Sequence, residues 1–386
     1  MLVSNIVLQN WRNFAHADVR LLNRTFVIGP NASGKSNFLD SLRFLQDVAK
    51  QGGGLQKSLE SRGGLSKVRC LAARQFPDVV IGVKIAEGVG KHAIWEYELG
   101  LKQEAHGKHL PIVAFERVRH QGNVLLDRPD EGDKEDRFRL TQTHLEQVNA
   151  NRKFRPISEF FEGFNYLHLV PQILRFPKQF GGSSEFTGDP FGRGFLRRIS
   201  QTQANVRKAR LRKIEQALRI AVPQLSSLAD TQDEDGNPHL QAIYTHWRSL
   251  GANQREDQFS DGTLRLIGLL WSLLEGDSVL LLEEPELSLN AGIISKLPGI
   301  MFRIQKERKK GDRQIIVSTH SPELLSDRGI IPQEVLLLRP DSEGTKIEAC
   351  SDKQDIVDLV DQGMSIGEAA LPHTQPENVD QLQLFR

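Results

Sequence analysis

The chain has 386 residues, with 50 Lys and Arg against 49 Asp and Glu, for a formal net charge of +1. That balance excludes a polycation drawn as a whole to nucleic acid, so any such contact has to come from a local patch. The two cysteines, Cys70 and Cys350, form no C-x-x-C pair, which excludes a disulfide framework or a zinc ribbon, and the most apolar stretch, LIGLLWSLL, falls far short of the roughly 20 residues of a membrane-spanning helix.

The length exceeds the usual single domain, so a large core with insertions or two domains is expected. The opening MLVSNIVLQNWRNF has neither a basic start nor a long apolar stretch; no signal peptide is expected, and the cytoplasm is the expected location. NIVLQNW and DVRLLNRTFVIG alternate in the manner of strands, and the second runs into the loop GPNASGKS, residues 29–36. This loop fits G-x-x-x-x-G-K-[ST], whose glycines let the backbone turn tightly and present its N–H groups to an oxyanion. The cradle comprises Gly29, Asn31, Ala32, Ser33, Gly34, Lys35, Ser36 and Asn37. Lys35 would reach the β- and γ-phosphates and Ser36 would ligate Mg²⁺, while the following helix aims its positive N-terminal end at the same anion.

After the first helix and the glycine-rich QGGGLQKSLESRGGLSKV, the runs DVVIGVKI, IWEYELGLK and IVAFERVRH read as strands of a β-rich half. DRPDEGDKEDR, residues 127–137, has no apolar period and reads as a solvated hairpin connection. From about 141 to 250 the pattern turns mostly helical, interrupted by FNYLHLVPQILRF and by GGSSEFTGDPFGRG, which reads as a mobile loop. Residues 193–219 carry Arg193, Arg197, Arg198, Arg207, Lys208, Arg210, Arg212, Lys213 and Arg219 against the single acid Glu215. On a helix Lys208, Arg212 and Arg219 form a stripe beside Glu215; it suits a phosphate backbone, or else it is a solvated and partly paired face.

The final third returns to alternating units. LRLIGLLWSLLEG reads as a helix, SVLLLEE as a buried strand, GIISKLPGIMFRIQKERKK as a helix and RQIIVSTH as a strand, an order that implies a parallel sheet with crossovers. VLLLEEPE, residues 279–286, delivers two acids at a strand's carboxyl end, where ligands sit in such sheets. Glu283 is the metal-side candidate and Glu284 the general base for an attacking water. His320, after the strand in QIIVSTHSPELL, suits a hydrogen bond to a γ-phosphate oxygen or to that water. In QFSDGTLRLIGLL, Ser260 and Gly262 open an apolar helix, as an N-cap alone or as a second anion site.

Taken in order, these elements resemble the ATPase head of the ABC superfamily, in its RecF-like, SMC-like and OLD-like branch. FSDGTLR is similar to the signature of that branch, LLLEEPELSLN to its Walker B element and D-loop, and VSTHSPELL to its H-loop. NWRNF is similar to the N-F-R motif, whose arginine, matched by Arg12, lies near the phosphates, and DQGMSIGEAAL resembles the short tail of defence-associated members. The resemblance implies an α/β, two-lobed ABC-type head with a mixed or parallel sheet around the phosphate loop. Its parts are an N-terminal core segment (1–140), a mainly helical lobe (141–255) inserted before the signature, and a C-terminal core segment (256–386). ATP and Mg²⁺ are the implied ligands, with Gln172 of LVPQILR in place of the Q-loop glutamine that senses the metal. The implied assembly is a homodimer, or a higher homo-oligomer, in which Ser260 and Gly262 of one subunit close on the γ-phosphate held by the other.

Two positions depart from the pattern: Glu283 stands where ABC proteins commonly carry Asp, and Asn290 where transporters have Asp. No transporter spans, long heptad arm or appended nuclease domain is recognisable in the sequence. The expected function is therefore an ATP-hydrolysing switch, in DNA repair or anti-phage defence, acting on DNA or on a separately encoded nuclease or toxin, with no membrane partner. The alternatives are a scaffold that uses ATP to hold an assembly closed with little turnover, and a RecF-like head that binds DNA ends or gaps.

Overall fold

A computed structural model of the chain describes all residues except 74–76, 105–108, 177–188, 190, 246–250, 308–312 and 376–386. Its strands in chain order are β1 (Leu2–Trp11), β2 (Phe14–Arg20), β3 (Arg24–Ile28), β4 (Val79–Ala86), β5 (Ala93–Gln103), β6 (Pro111–His120), β7 (Asn123–Arg128), β8 (Asn165–Leu167), β9 (Leu225–Gln232), β10 (Pro238–Tyr244), β11 (Ala252–Arg255), β12 (Leu280–Glu283), β13 (Ile315–Ser318), β14 (Val335–Asp341) and β15 (Gly344–Ala349). The chain divides into two compact units, the first made of residues 1–165, 278–283 and 311–386, the second of residues 166–277 and 284–310.

The first unit holds two sheets. One is antiparallel, in the order β2-β1-β4-β5-β6-β7. The other runs β15-β14-β3-β13-β12, with β12, β13, β3 and β14 parallel and β15 returning antiparallel as a hairpin. All five residues of β3 are buried, as expected for an inner parallel strand covered on both faces. The helix Lys35–Ala49 follows and buries Phe38, Leu42 and Leu45 along one face with Leu39 and Val48. The β1–β2 hairpin packs on this helix: the Trp11 ring lies 5.3 Å from Phe44, and Phe14 lies 6.4 Å from Phe38. Burying each such side chain contributes on the order of 1.5–3 kcal/mol, so the helix behind the phosphate loop is firmly seated.

Residues 127–137 are mostly exposed, as their charge suggests, but two of them, Arg128 and Asp133, turn inward. Arg128 and Asp133 are each 1% exposed, and Arg128 donates to Asp133 Oδ1 at 2.8 Å and to Glu116 Oε2 at 3.1 Å. Asp133 also closes a capping box with Asp130 at the start of the helix Glu131–Glu135. Burial works against the charged Asp133, but its hydrogen bonds from Arg128 prevail and draw its carboxyl down to about 2. A single charge pair buried within an exposed stretch leaves no apolar period to read.

The second unit combines the helices Phe195–Gln201, Ala204–Ala221, Asp261–Leu274 and Leu297–Lys306 with an antiparallel sheet ordered β11-β10-β9. Strand therefore occupies much of 225–255, where the sequence pattern suggests helix. These strands carry Ser, Thr, Asp and Gln among their residues and bury Leu225, Leu228, Leu240 and Ala242 as their apolar set. That set carries little periodic signal, and a buried polar bond substitutes for it: Glu256, 3% exposed, accepts from Leu240 N–H at 2.8 Å and lies 2.6 Å from His239 Nδ1. Most of the glycine-rich stretch 181–194 lies outside the described residues.

Candidate functional site

The phosphate loop leaves β3 in a turn with Gly29 at φ +152°, Ala32 at +61° and Gly34 at +98°. A Cβ on Gly34 would stand 2.1 Å from Asn13 Nδ2, so the position requires glycine for room as well as for its backbone angle. Gly34 is also the N-cap of the helix Lys35–Ala49 and gives it no side-chain cap, which leaves the first-turn N–H groups to a ligand. Lys35 is 5% exposed and arches back over the loop, donating to Gly29 O at 3.0 Å and Pro30 O at 2.9 Å. Ser33 is fully buried, and its Oγ has no hydrogen-bond partner. Asn31 and Ala32 are exposed at the tip.

Ser36 Oγ donates to Glu283 Oε1 at the carboxyl end of β12. Glu283, one methylene longer than Asp, thus reaches the hydroxyl that follows the loop lysine. His320, exposed beyond β13, lines a cleft of about 310 Å³ with Gly29, Asn31 and the segment around Ala370. The first unit therefore brings together Lys35, Ser36 and Glu283, with Asn31 and His320 on a common cleft.

Asn37 is drawn into the scaffold. Its Nδ2 donates to Asn13 Oδ1 at 3.0 Å, and its carbonyl accepts Trp11 Nε1 at 2.8 Å. Arg12 sits at φ +53° and donates to Asp40 Oδ2 at 3.0 Å. Burial would raise the Asp40 carboxyl, yet Arg62, with Arg12 and Arg43 adding to it, holds it below its usual range. Sequence reasoning missed two residues here. Asn13 and Thr345 both donate to the Ser33 carbonyl; Asn13 lies within the quoted NWRNF and so was open to notice, whereas nothing local marks Thr345.

In the second unit Ser260 is the N-cap of the helix Asp261–Leu274, its Oγ accepting from Thr263 N–H at 3.1 Å. Gly262 has a steric task of its own, because a Cβ there would come within 2.6 Å of Ser288 O. Gln172 donates to Asp261 Oδ2 at 3.0 Å, and Arg175, also missed in the sequence, donates to Asp261 Oδ1 at 2.7 Å and Phe259 O at 2.6 Å. Gln172 thus meets the signature acid. Glu284 adopts φ +44°, a left-handed angle uncommon for a residue with a Cβ, and its carbonyl accepts from Leu287 N–H at 3.3 Å. Asn290 accepts from Gly292 N–H at 2.9 Å and caps the turn Ala291–Ile294.

The basic segment is helical from Ala204 to Ala221 and buries Leu211, Ile214 and Leu218. Much of its charge is engaged: Arg219 with Glu215 at 2.7 Å, Arg207 with Asp230 at 2.9 Å, Lys213 with Glu307 at 3.4 Å, and Arg210 over the Trp271 ring at 5.3 Å. Lys208 and Arg212 remain exposed on it.

The donors fit a small hard cation held partly by a substrate. Ser36 and Glu283 offer one hydroxyl and one carboxylate, and among the described residues no cluster of three His, Cys, Asp or Glu side chains forms an all-protein metal cage. Mg²⁺ in phosphate-handling sites takes this arrangement, one or two protein oxygens plus waters and phosphate oxygens.

A solved structure of an SMC head bound to the C-winged helix domain of ScpA matches 90% of this chain and 98% of its own, with a TM-score of 0.57 and 13% identity. That likeness shows the fold. The SMC head domain from Thermotoga maritima covers 90% of this chain and 99% of its own, at a TM-score of 0.47 and 13% identity. Endonuclease GajA of Bacillus cereus (strain VD045) is 43% identical over 58 residues, which are 15% of this chain and 10% of that relative. The chain therefore spans about a tenth of the length of this curated relative. Among the described residues no helix is long and apolar enough to cross a membrane. The model of one family, described as AAA domain, putative AbiEii toxin, Type IV TA system, matches residues 24–326, and the chain belongs to this family of ABC/AAA-type ATPase heads.

Proposed function

We propose that the chain binds and hydrolyses ATP with Mg²⁺ and that the nucleotide joins two copies into a switch controlling a separate nuclease or toxin in defence. The observation that carries this reading is the Ser36–Glu283 pair set beside Lys35 at an uncapped helix start. Lys35 would turn its ammonium from the loop carbonyls to phosphate oxygens. Ser36 and Glu283 would hold the ion, which when bound neutralises charge on the β- and γ-phosphates. Glu284, next in sequence, would accept the proton of the attacking water, with His320 positioning that water or the γ-phosphate oxygen. Its left-handed backbone supports that role, since strain of this kind collects at functional sites. The kinship with a putative toxin family and the short match to an endonuclease support a defence setting.

The test is the mass of Glu284→Gln by light scattering. With ATP and Mg²⁺ the variant should bind nucleotide, lose roughly 10²–10⁴ of its turnover and accumulate as a dimer. A mass unchanged by nucleotide in a binding-competent variant would overturn the dimer reading.

A further inference from the structure

We propose that Asn13 and Thr345 are positioning residues that aim the Gly34 N–H into the phosphate cradle by holding the Ser33 carbonyl outward. The proposal rests on the nucleotide-binding reading and adds to it two residues outside the 24–326 span of the family match.

A phosphate cradle works only if its peptide units turn their N–H groups inward. In a planar trans peptide the C=O and N–H point in opposite directions, so fixing the Ser33 carbonyl also fixes the Gly34 N–H. The Ser33 carbonyl receives two donors: Asn13 Nδ2 at 2.8 Å and the Thr345 hydroxyl at 2.9 Å. Asn13 Nδ2 donates a second time, to Thr345 Oγ1 at 2.7 Å, while Asn13 Oδ1 accepts from Asn37 Nδ2 at 3.0 Å. The Asn13 amide thereby has its orientation set by a partner on each side. Its backbone carbonyl accepts Thr345 N–H at 2.7 Å, which ties the β14–β15 hairpin to the β1–β2 turn. The hairpin seats this closely because Gly344 is at its turn; a Cβ there would lie 2.8 Å from Asn13 O.

The clamp also answers a problem that the glycines create. Gly34 is needed for room, and glycine imposes little preference on the peptide before it, so nothing in the loop alone stops that peptide from flipping. Two donors from outside the loop supply the missing constraint, and Thr345, 4% exposed, makes its bond away from competing water.

The experiment compares Thr345→Val, which keeps the shape and removes the hydroxyl, with Thr345→Ser, which restores it. Binding of a fluorescent ADP with Mg²⁺ should weaken about fivefold in the Val variant and stay within about twofold of wild type in the Ser variant. Amide hydrogen exchange over residues 29–37, measured without nucleotide, should accelerate in Val alone. With ATP, KM should rise by the same factor while kcat is retained. Asn13→Asp, which sets a carboxylate oxygen against the Ser33 carbonyl, gives the same readouts if the Val variant does not fold. Wild-type binding and wild-type loop exchange in folded Thr345→Val would overturn the clamp. Lys35→Ala separates the two ideas: if it and the wild type both fail to bind nucleotide, the ATP reading falls, and the exchange measurement still decides the clamp.

Discussion

Two helices of this protein start beside a glycine and face opposite requirements. The helix after the phosphate loop begins at Gly34 without a side-chain cap, and its nearest cation, Lys35, is parked on loop carbonyls. The helix that FSDGTLR opens has Ser260 as its cap, whose hydroxyl already accepts from Thr263 N–H, and its first residue is the acid Asp261. The first start is an open electropositive socket; the second is satisfied by its own side chains and guarded by a negative charge that Gln172 and Arg175 hold. The difference teaches that an anion site at a helix start is made by withholding the cap. A third start, Leu55–Glu60 after Gly54, shows the remaining solution, because its first N–H donates to the carboxyl group of Glu146 at 2.5 Å, an acceptor supplied from within the fold.

The largest effect should follow from emptying the open socket. Lys35→Ala removes a charged donor and should weaken ATP affinity by about a hundredfold, measured by titration with a fluorescent nucleotide. Retained affinity would mean that the uncapped N–H groups alone hold the phosphates. A smaller effect is expected at the capped start: Ser260→Ala should leave nucleotide binding by a single chain within about twofold, lower turnover about tenfold, and cost about 1 kcal/mol of stability from the lost cap. Loss of single-chain binding in Ser260→Ala would erase the distinction between the two starts. The smallest effect concerns the internal acceptor, Glu146. Burial raises the Glu146 carboxyl to about 7, above its unfolded value, so the folded state binds the extra proton between about 4.5 and 7. Stability from this group is therefore present at low pH and lost as pH rises through that window. Glu146→Gln should remove the loss, and its melting temperature relative to wild type should rise by about 2–4 °C from pH 5 to pH 8. A difference that does not change with pH would show that Glu146 is ionised throughout.

What was legible in the sequence follows from how local each feature is. Gly29 to Ser36 forms a loop whose chemistry is contiguous, and β12 and β13 are apolar runs ending in polar residues, so the α/β core and the placement of Glu283 and His320 could be expected from the residues alone. The contact of Glu283 with Ser36 spans 247 residues, and motif order was enough to bring the two together. Arg128 and Asp133 were hidden because a buried charge pair looks on paper like a solvated one. Strands β9 to β11 escaped because Leu225 and Leu228 stand at a helical spacing and no strict alternation runs through the segment. Arg175 and Thr345 act through hydrogen bonds to residues far away in the chain, and no spacing or composition rule reports those.

The position of β3 has a consequence for how the protein is made. Its sheet neighbours are β13 and β14, and the hydroxyl that helps to fix its loop is 312 residues from Ser33. At about 5–20 residues per second, a ribosome needs roughly 15–60 s to deliver Thr345 after Ser33 has appeared. For most of that interval, until β13 and then β14 have been made, the strand carrying the loop lacks the two neighbours it has in the finished sheet, an invitation to mispairing. The supports of the loop after β3 are therefore completed late in synthesis, once β13, β14 and Thr345 have been made.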